Sequence, residues 1–196
     1  NCKNSELPPA PWVNVISNPS FGTIVSECGN SYTWVENAHE FRISPWGNDP
    51  VCDTGGEVFY IRDEDSGHFW SPLPQPAGGI SNYIIRHGFG YSVFEHLDDE
   101  VYSVMTVFVD IDDPVKFVLL KLINKSGRPR RISVTGFVEL VLGDLKAKNA
   151  MHIITGYDTD SSTLFARNPY NKEFDGRIVF FDTDDPAKNY TGDRSE

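Results

Sequence analysis

Val101-Tyr-Ser-Val-Met-Thr-Val-Phe-Val109 is the stretch that decides the fold. Val101, Ser103, Met105, Val107 and Val109 alternate with Tyr102, Val104, Thr106 and Phe108. A period of two is that of a strand, and here both faces carry apolar groups. Such a strand belongs inside a large sandwich whose sheet is covered on its outer side as well. Two longer runs follow, Lys116 to Ile123 and Arg131 to Leu142. Between them, Asn124-Lys-Ser-Gly-Arg-Pro129 has the chemistry of a hairpin loop. In the second run Ile132, Val134, Val138, Leu140 and Leu142 share one face.

Working outward, the same grammar repeats. Phe21 to Glu27 and Ser31 to Glu36 flank the turn Cys28-Gly-Asn30. Glu57 to Arg62 and His68 to Trp70 flank Asp63 to Gly67, and Tyr83 to Arg86 and Tyr91 to His96 bracket His87-Gly-Phe-Gly90. Thr163 to Ala166 and Arg177 to Phe181 supply two more strands. The best helical window, Leu142 to Met151, is short and begins at Gly143. About ten to twelve strands joined by tight turns predict an all-β fold, an antiparallel two-sheet sandwich in a single domain.

Composition narrows the partners. Across 196 residues, 17 Lys and Arg stand against 28 Asp and Glu, a net charge of −11. That balance repels phosphate backbones and anionic headgroups, which argues against nucleic acid and membrane surfaces. The longest uninterrupted apolar run, Phe117 to Leu120, is far too short to span a bilayer. Cys2, Cys28 and Cys52 are odd in number and widely spaced. They read as thiols in a reducing, cytoplasmic compartment, not as a disulfide framework or a zinc site. Asn124-Lys-Ser and Asn189-Tyr-Thr match the glycosylation sequon, and without a secretory signal both read as chance. The opening Asn1-Cys-Lys-Asn4 has neither an initiator Met nor an apolar leader, so we expect a piece of a longer chain.

Residues able to carry chemistry are weighed one set at a time. Carboxylates cluster at Asp63 to Asp65, Asp98 to Glu100, Asp110 to Asp113, Asp158/Asp160 and Asp182 to Asp185. A glycosidase pair or a calcium loop needs such groups, but each cluster falls where Asp turns the chain, and solvated turns are the plainer reading. His39, His68, His87, His96 and His152 show no metal-binding spacing, and no GxSxG elbow is present. The basic group Lys125, Arg128, Arg130 and Arg131 reads as a solvated turn, with anion binding as the alternative. Trp12, Trp34, Trp46 and Trp70 all lie in the first half of the chain. Exposed rings of this kind serve as sugar platforms, for which Trp46 and Trp70 are candidates; filling a wide core is the competing use.

A family resemblance rests on an ordered series of motifs. Pro11-Trp-Val-Asn-Val-Ile-Ser-Asn-Pro19, Gly29-Asn-Ser-Tyr-Thr-Trp34, Arg42-Ile-Ser-Pro-Trp-Gly-Asn-Asp-Pro50 and Glu57-Val-Phe-Tyr-Ile-Arg-Asp63 are followed by Phe69-Trp-Ser-Pro72 and Arg86-His-Gly-Phe-Gly-Tyr91. Phe108-Val-Asp-Ile-Asp-Asp-Pro-Val115, Val138-Glu-Leu-Val-Leu-Gly143 and Phe165-Ala-Arg-Asn-Pro169 complete it. The series resembles the N-terminal domain of glycoside hydrolase family 94, and its wording is nearest the cyclic β-1,2-glucan synthase branch, also classed with glycosyltransferase family 36.

The resemblance implies a β-supersandwich related to galactose-mutarotase-like folds, spanning residues 1–196. It also implies a downstream (α/α)6 barrel that carries the general acid and runs an inverting phosphorolysis of β-glucosides. The cosubstrate would be inorganic phosphate, with no other cofactor. The sandwich would support its own barrel, help form a homodimer and lie near a β-glucan oligosaccharide, with no catalytic residue of its own. The stretch Asp144 to His152 matches a loop that reaches towards the neighbouring subunit's site, which makes Lys146, Asn149 and His152 the sugar-contact candidates. Its wording departs from the Asn-rich loop of the disaccharide phosphorylases. Two other classes stay open: a free-standing carbohydrate-binding module, and a mutarotase-like enzyme pairing His87 or His96 with Glu95.

Overall fold

The computed structural model describes residues 10–47, 55–185 and 189–192. Its strands run β1 (Val13–Ser17), β2 (Phe21–Ser26), β3 (Ser31–Val35), β4 (Glu57–Asp63), β5 (Phe69–Trp70) and β6 (Tyr83–Gly88). They continue with β7 (Tyr91–Asp98), β8 (Val101–Val109), β9 (Lys116–Asn124) and β10 (Ile132–Val138). A four-residue helix α1 (Lys146–Asn149) with a 3-10 turn (Ala150–His152) precedes β11 (Ile154–Asp158), β12 (Thr163–Arg167) and β13 (Ile178–Phe181). Among the described residues the ladders form four antiparallel sheets, ordered β1-β2-β3, β10-β4-β5, β6-β7-β8-β9 and β11-β12-β13. The chain is thus all-β, a sandwich whose layers are divided among four ladders.

The deciding stretch behaves as its period requires. Along β8 the residues from Val101 to Val109 alternate buried and half-buried without a break. Its inner residues Met105, Val107 and Val109 join Phe94, Ile16, Phe21 and Val25 in the main core, so the β6–β9 sheet packs on β1 and β2. Two asparagines close the ends of that contact. Asn14 donates to the carbonyls of Gly88 and Tyr91, and Asn18 to those of Asp110 and Asp113. Both asparagines thus tie β1 and the turn after it to strand ends of the β6–β9 sheet.

A polar bolt crosses the same core. Lys116, at the start of β9, places Nζ 2.5 Å from Glu57 Oε2 and 3.1 Å from the hydroxyls of Thr23 and Ser31. Glu57 Oε1 accepts from Ser44 at 2.5 Å and Thr33 at 2.6 Å. Three ladders therefore share one ion pair. Burial alone would raise the Glu57 pKa, but the Lys116 charge and these donors bring it down to about 2.

Glycines inside strands are explained by rings. Gly22 stands opposite Trp34, Gly88 opposite Tyr91, Gly136 opposite Phe59 and Gly156 opposite Phe165. At Gly22, Gly88 and Gly156 the ring opposite lies over the glycine and a Cβ would run into it, whereas at Gly136 the ring in the way is that of Phe181.

Two expectations are corrected. The Asn124 to Pro129 loop does not close a hairpin: β9 pairs with β8, whereas β10 pairs with β4 in another sheet. The loop makes its local turn, with Asn124 accepting from the Ser126 amide and donating to the Arg128 carbonyl. Then Arg130 binds Asp63 and Asp99 and draws the chain onto β4. The run Arg131 to Leu142 also does not keep one face. Its strand ends at Val138, Leu142 takes a φ of 46°, and Val134 is exposed on an edge strand. Strands β1 and β11 had no counterpart in the sequence reading, since Asn14 and Gly156 interrupt their patterns.

Candidate functional site

An open groove of about 580 Å³ is lined by Ser66, His68, Ile80, Ser81, Leu97 and Asp98. It lies where the β4–β5 turn and the β7–β8 turn meet the segment 71–82. Asp98 is buried at its floor and divides its carboxylate between two rings. His68 Nε2 lies 2.6 Å from Oδ1, and His96 Nε2 lies 3.5 Å from Oδ2. The His96 ring stacks on Tyr83 at 3.7 Å and 5°. Gly79 donates to the Tyr83 hydroxyl, which donates to the Ser71 carbonyl. A side chain at Gly79 would collide with Asp98 and His96, so glycine is what lets the segment close over the pair. Burial holds the His96 pKa below the usual imidazole value and pushes Tyr83 up to about 12.

His68 is the accessible member, stacked on Trp70 at 5.2 Å and oriented by Asp98. Such a dyad can accept a proton from the groove. Inverting hydrolysis of a glycoside needs a second carboxyl group across a gap from the first, and Asp98 is held by His68 at 2.6 Å. The sequence signal for this cluster was His96-Leu-Asp98: residues two apart on a strand share a face.

The residues singled out from sequence are dispersed. Trp70 is 1% exposed and belongs to the core around Ile61 and Val101. Trp46 is half-buried, its ring 5.4 Å from Tyr32, which also stacks on Trp34. Lys146, Asn149 and His152 lie together on α1 and the following turn. Asn149 is buried, and its amide donates to Asp144 and the Leu145 carbonyl while accepting from Asn168. Lys146 pairs with Glu139, and His152 stacks on Tyr170 at 4.3 Å.

The His87/His96 pairing with Glu95 is overturned by register. His87 faces Ser92, and His96 faces Tyr83, both on the inner side of the sheet. Glu95 points outward, accepting from the Tyr102 hydroxyl and pairing with Arg86.

Two solvated-turn readings are also corrected. Asp110 and Asp158 do cap their turns through backbone amides. Asp63 and Arg130, however, are fully buried against each other, the Arg130 side chain being 1% exposed. Ser66 and Asp65 amides together with Arg130 hold the Asp63 pKa down to about 2. Cys28 is buried, while Cys2 and Cys52 lie outside the described residues.

The four antiparallel ladders and the cores between them define an all-β supersandwich. Comparison with known proteins agrees with it. The family model described as glycosyl hydrolase 94, supersandwich domain, matches residues 1–196, and the chain belongs to that family. It is 35% identical over 195 residues to the cyclic beta-(1,2)-glucan synthase NdvB of Rhizobium meliloti (strain 1021), covering 99% of this chain and 7% of that protein. It is 28% identical over 180 residues to N,N'-diacetylchitobiose phosphorylase of Vibrio furnissii, covering 90% of this chain and 22% of the relative. A solabiose phosphorylase of Paenibacillus borealis is 32% identical over 141 residues, covering 68% and 18%. The chain thus spans less than a quarter of the length of these curated relatives. No helix of the described residues is long and apolar enough to cross a membrane.

Proposed function

We propose that this domain is a non-catalytic part of a longer, cytoplasmic enzyme that forms or phosphorolyses β-glucosides, with inorganic phosphate as cosubstrate. Its own work is to support a catalytic barrel on the same polypeptide and to contribute to a homodimer. The observation that carries the reading is the alignment along 99% of this chain with 7% of a glucan synthase, together with the matches to phosphorylases. The geometry supports it, because the buried carboxylates Glu57, Asp63 and Asp98 are bound to Lys116, Arg130 and His68. A sugar is met, on this reading, by the α1 turn, where Asn149 anchors the backbone, Lys146 is exposed and His152 is stacked on Tyr170.

The test is phosphate release from a sugar 1-phosphate with a β-glucan acceptor. The expected result is none from the 196-residue chain and turnover from the longer polypeptide. Turnover by the short chain overturns the proposal.

A further inference from the structure

Residues 71–82 join β5 to β6 without a strand of their own, and none of them titrates. The two halves of the segment are held differently. In the first, Leu73 is buried in the main core, and Gln75 donates its amide to the Cys28 carbonyl while accepting from Asn30. The second half, 77–82, has no large apolar anchor, because Ile80 is 96% exposed. Its ties are polar. Ser71 donates to the Ala77 carbonyl, Gly79 to the Tyr83 hydroxyl and Ser81 to the Leu97 carbonyl. His96 Nδ1 lies 3.4 Å from the Asn82 carbonyl. Ile80 and Ser81 also wall the groove that has Asp98 at its floor.

His96 is the titratable group beneath this half. It is 1% exposed, its ring lies flat on Tyr83 at 3.7 Å, and a Cβ on Gly79 would stand 2.3 Å from Nε2. Few groups face it. Asp98 on β7 brings a carboxylate, with Oδ2 3.5 Å from Nε2. Tyr83 on β6 stays neutral, its hydroxyl pushed up to about 12, and Ser103 on β8 bonds the His96 carbonyl. His68, from the turn before β5, holds the other Asp98 oxygen at 2.6 Å.

Both ring nitrogens therefore face acceptors, and a neutral imidazole has one N–H. Assigning that hydrogen to Nδ1, for Asn82, leaves Nε2 buried with no hydrogen-bond partner among the described residues. Ser71 Oγ, at the root of the segment, is buried and unpartnered as well. A proton on Nε2 meets a carboxylate whose other oxygen belongs to His68, in a site closed to water. Burial accordingly holds the ring below its ordinary pKa, although Asn82 and Asp98 pull the other way. Lifting 77–82 breaks polar contacts that water replaces, and it hydrates the imidazolium, so the open form takes the proton more readily.

We propose that residues 77–82 are a strap that opens when His96 takes up a proton, reshaping the groove beside Asp98 in mildly acidic solution.

The test is amide hydrogen exchange by NMR on the 196-residue chain at pH 7.5 and 5.5, with each rate divided by its intrinsic value. An open imidazole titrates near 6.5, so a ring kept neutral while closed raises the open fraction about tenfold between these two pH values. The Gly79 and Ser71 amides should lose about that much protection. At both pH values they should also exchange well ahead of the β8 amides, which report global unfolding. His96→Asn should abolish the pH dependence. Tyr83→Phe, which removes the acceptor for Gly79, should lower the protection at both pH values and keep the dependence. Equal protection at both pH values, exchange only as fast as β8, a dependence that survives His96→Asn, or a Gly79 amide indifferent to Tyr83→Phe overturns the proposal. If His96→Asn does not fold, the ring carbon signals of His96 in the unaltered chain decide, and a midpoint at or above 6.5 overturns it too.

Discussion

Lys116→Met tests the claim that one ion pair locks three ladders. The lysine Nζ lies 2.5 Å from Glu57 Oε2, and both side chains are nearly buried, at 12% and 10% exposure. A carboxyl lowered from its ordinary 4.5 to about 2 contributes about 3 kcal/mol at neutral pH. With a depressed native pKa, that stability is present above about pH 5 and is lost as the pH falls towards 2. Removing Lys116 leaves a buried, unpaired carboxylate, for which the cost is about 3–5 kcal/mol. For a chain of this size that is a fall in Tm of about 6–20 °C at pH 8. The pH dependence then reverses. Glu57 buried without its cation has a raised pKa, so the variant recovers stability as the pH drops from 8 to 5. Lys116→Met/Glu57→Gln, which removes both charges, should cost less than Lys116→Met alone. Urea melts of the unaltered chain, Lys116→Met, Glu57→Gln and the double variant at pH 8 and pH 5 decide it. Additive effects in the double variant, or a Lys116→Met deficit equal at both pH values, would refute the argument.

Other consequences are read by the same melts. Gly156→Ala pushes a methyl into the Phe165 ring and should cost about 1–3 kcal/mol. Gly127→Ala, which has open space around it, should be neutral or slightly stabilising. Arg130→Lys should lower the urea midpoint less than Arg130→Met, because it keeps a cation beside Asp63 but loses the fork to Asp99. His96 is buried with a lowered pKa, so the unfolded chain binds the extra proton first. Stability should fall as the pH drops below about 6.5, and His96→Asn should flatten that slope.

The fold was largely legible because strand periodicity is a local signal. The pairs β2–β3, β4–β5 and β6–β7 form where turn residues separated two β-type runs. The β9–β10 connection was not legible, although its loop has the same chemistry as the others. What separates it is Arg130, whose partners Asp63 and Asp99 lie 67 and 31 residues away in sequence. No local pattern reports such a contact. The same limit hid the burial of Asp63 and Asp98, which read as turn carboxylates without their partners Arg130 and His68.

For the site, parity carries more than residue type does. Glu95 and His96 are neighbours in sequence, an attractive acid–base pair on paper, and a strand necessarily sends them to opposite faces. His96 therefore joins Asp98, two residues on, in a buried cluster under Gly79. Glu95 joins Arg86 and Tyr102 on the outer sheet face. One alternation thus divides the most polar stretch of β7 between two jobs, closing a loop inside and neutralising an apolar surface outside. Acid–base work by Glu95 with His96 would require both groups on one side. The register of β7 against β6 and β8, more than residue type, is what keeps Glu95 and His96 from acting as a pair.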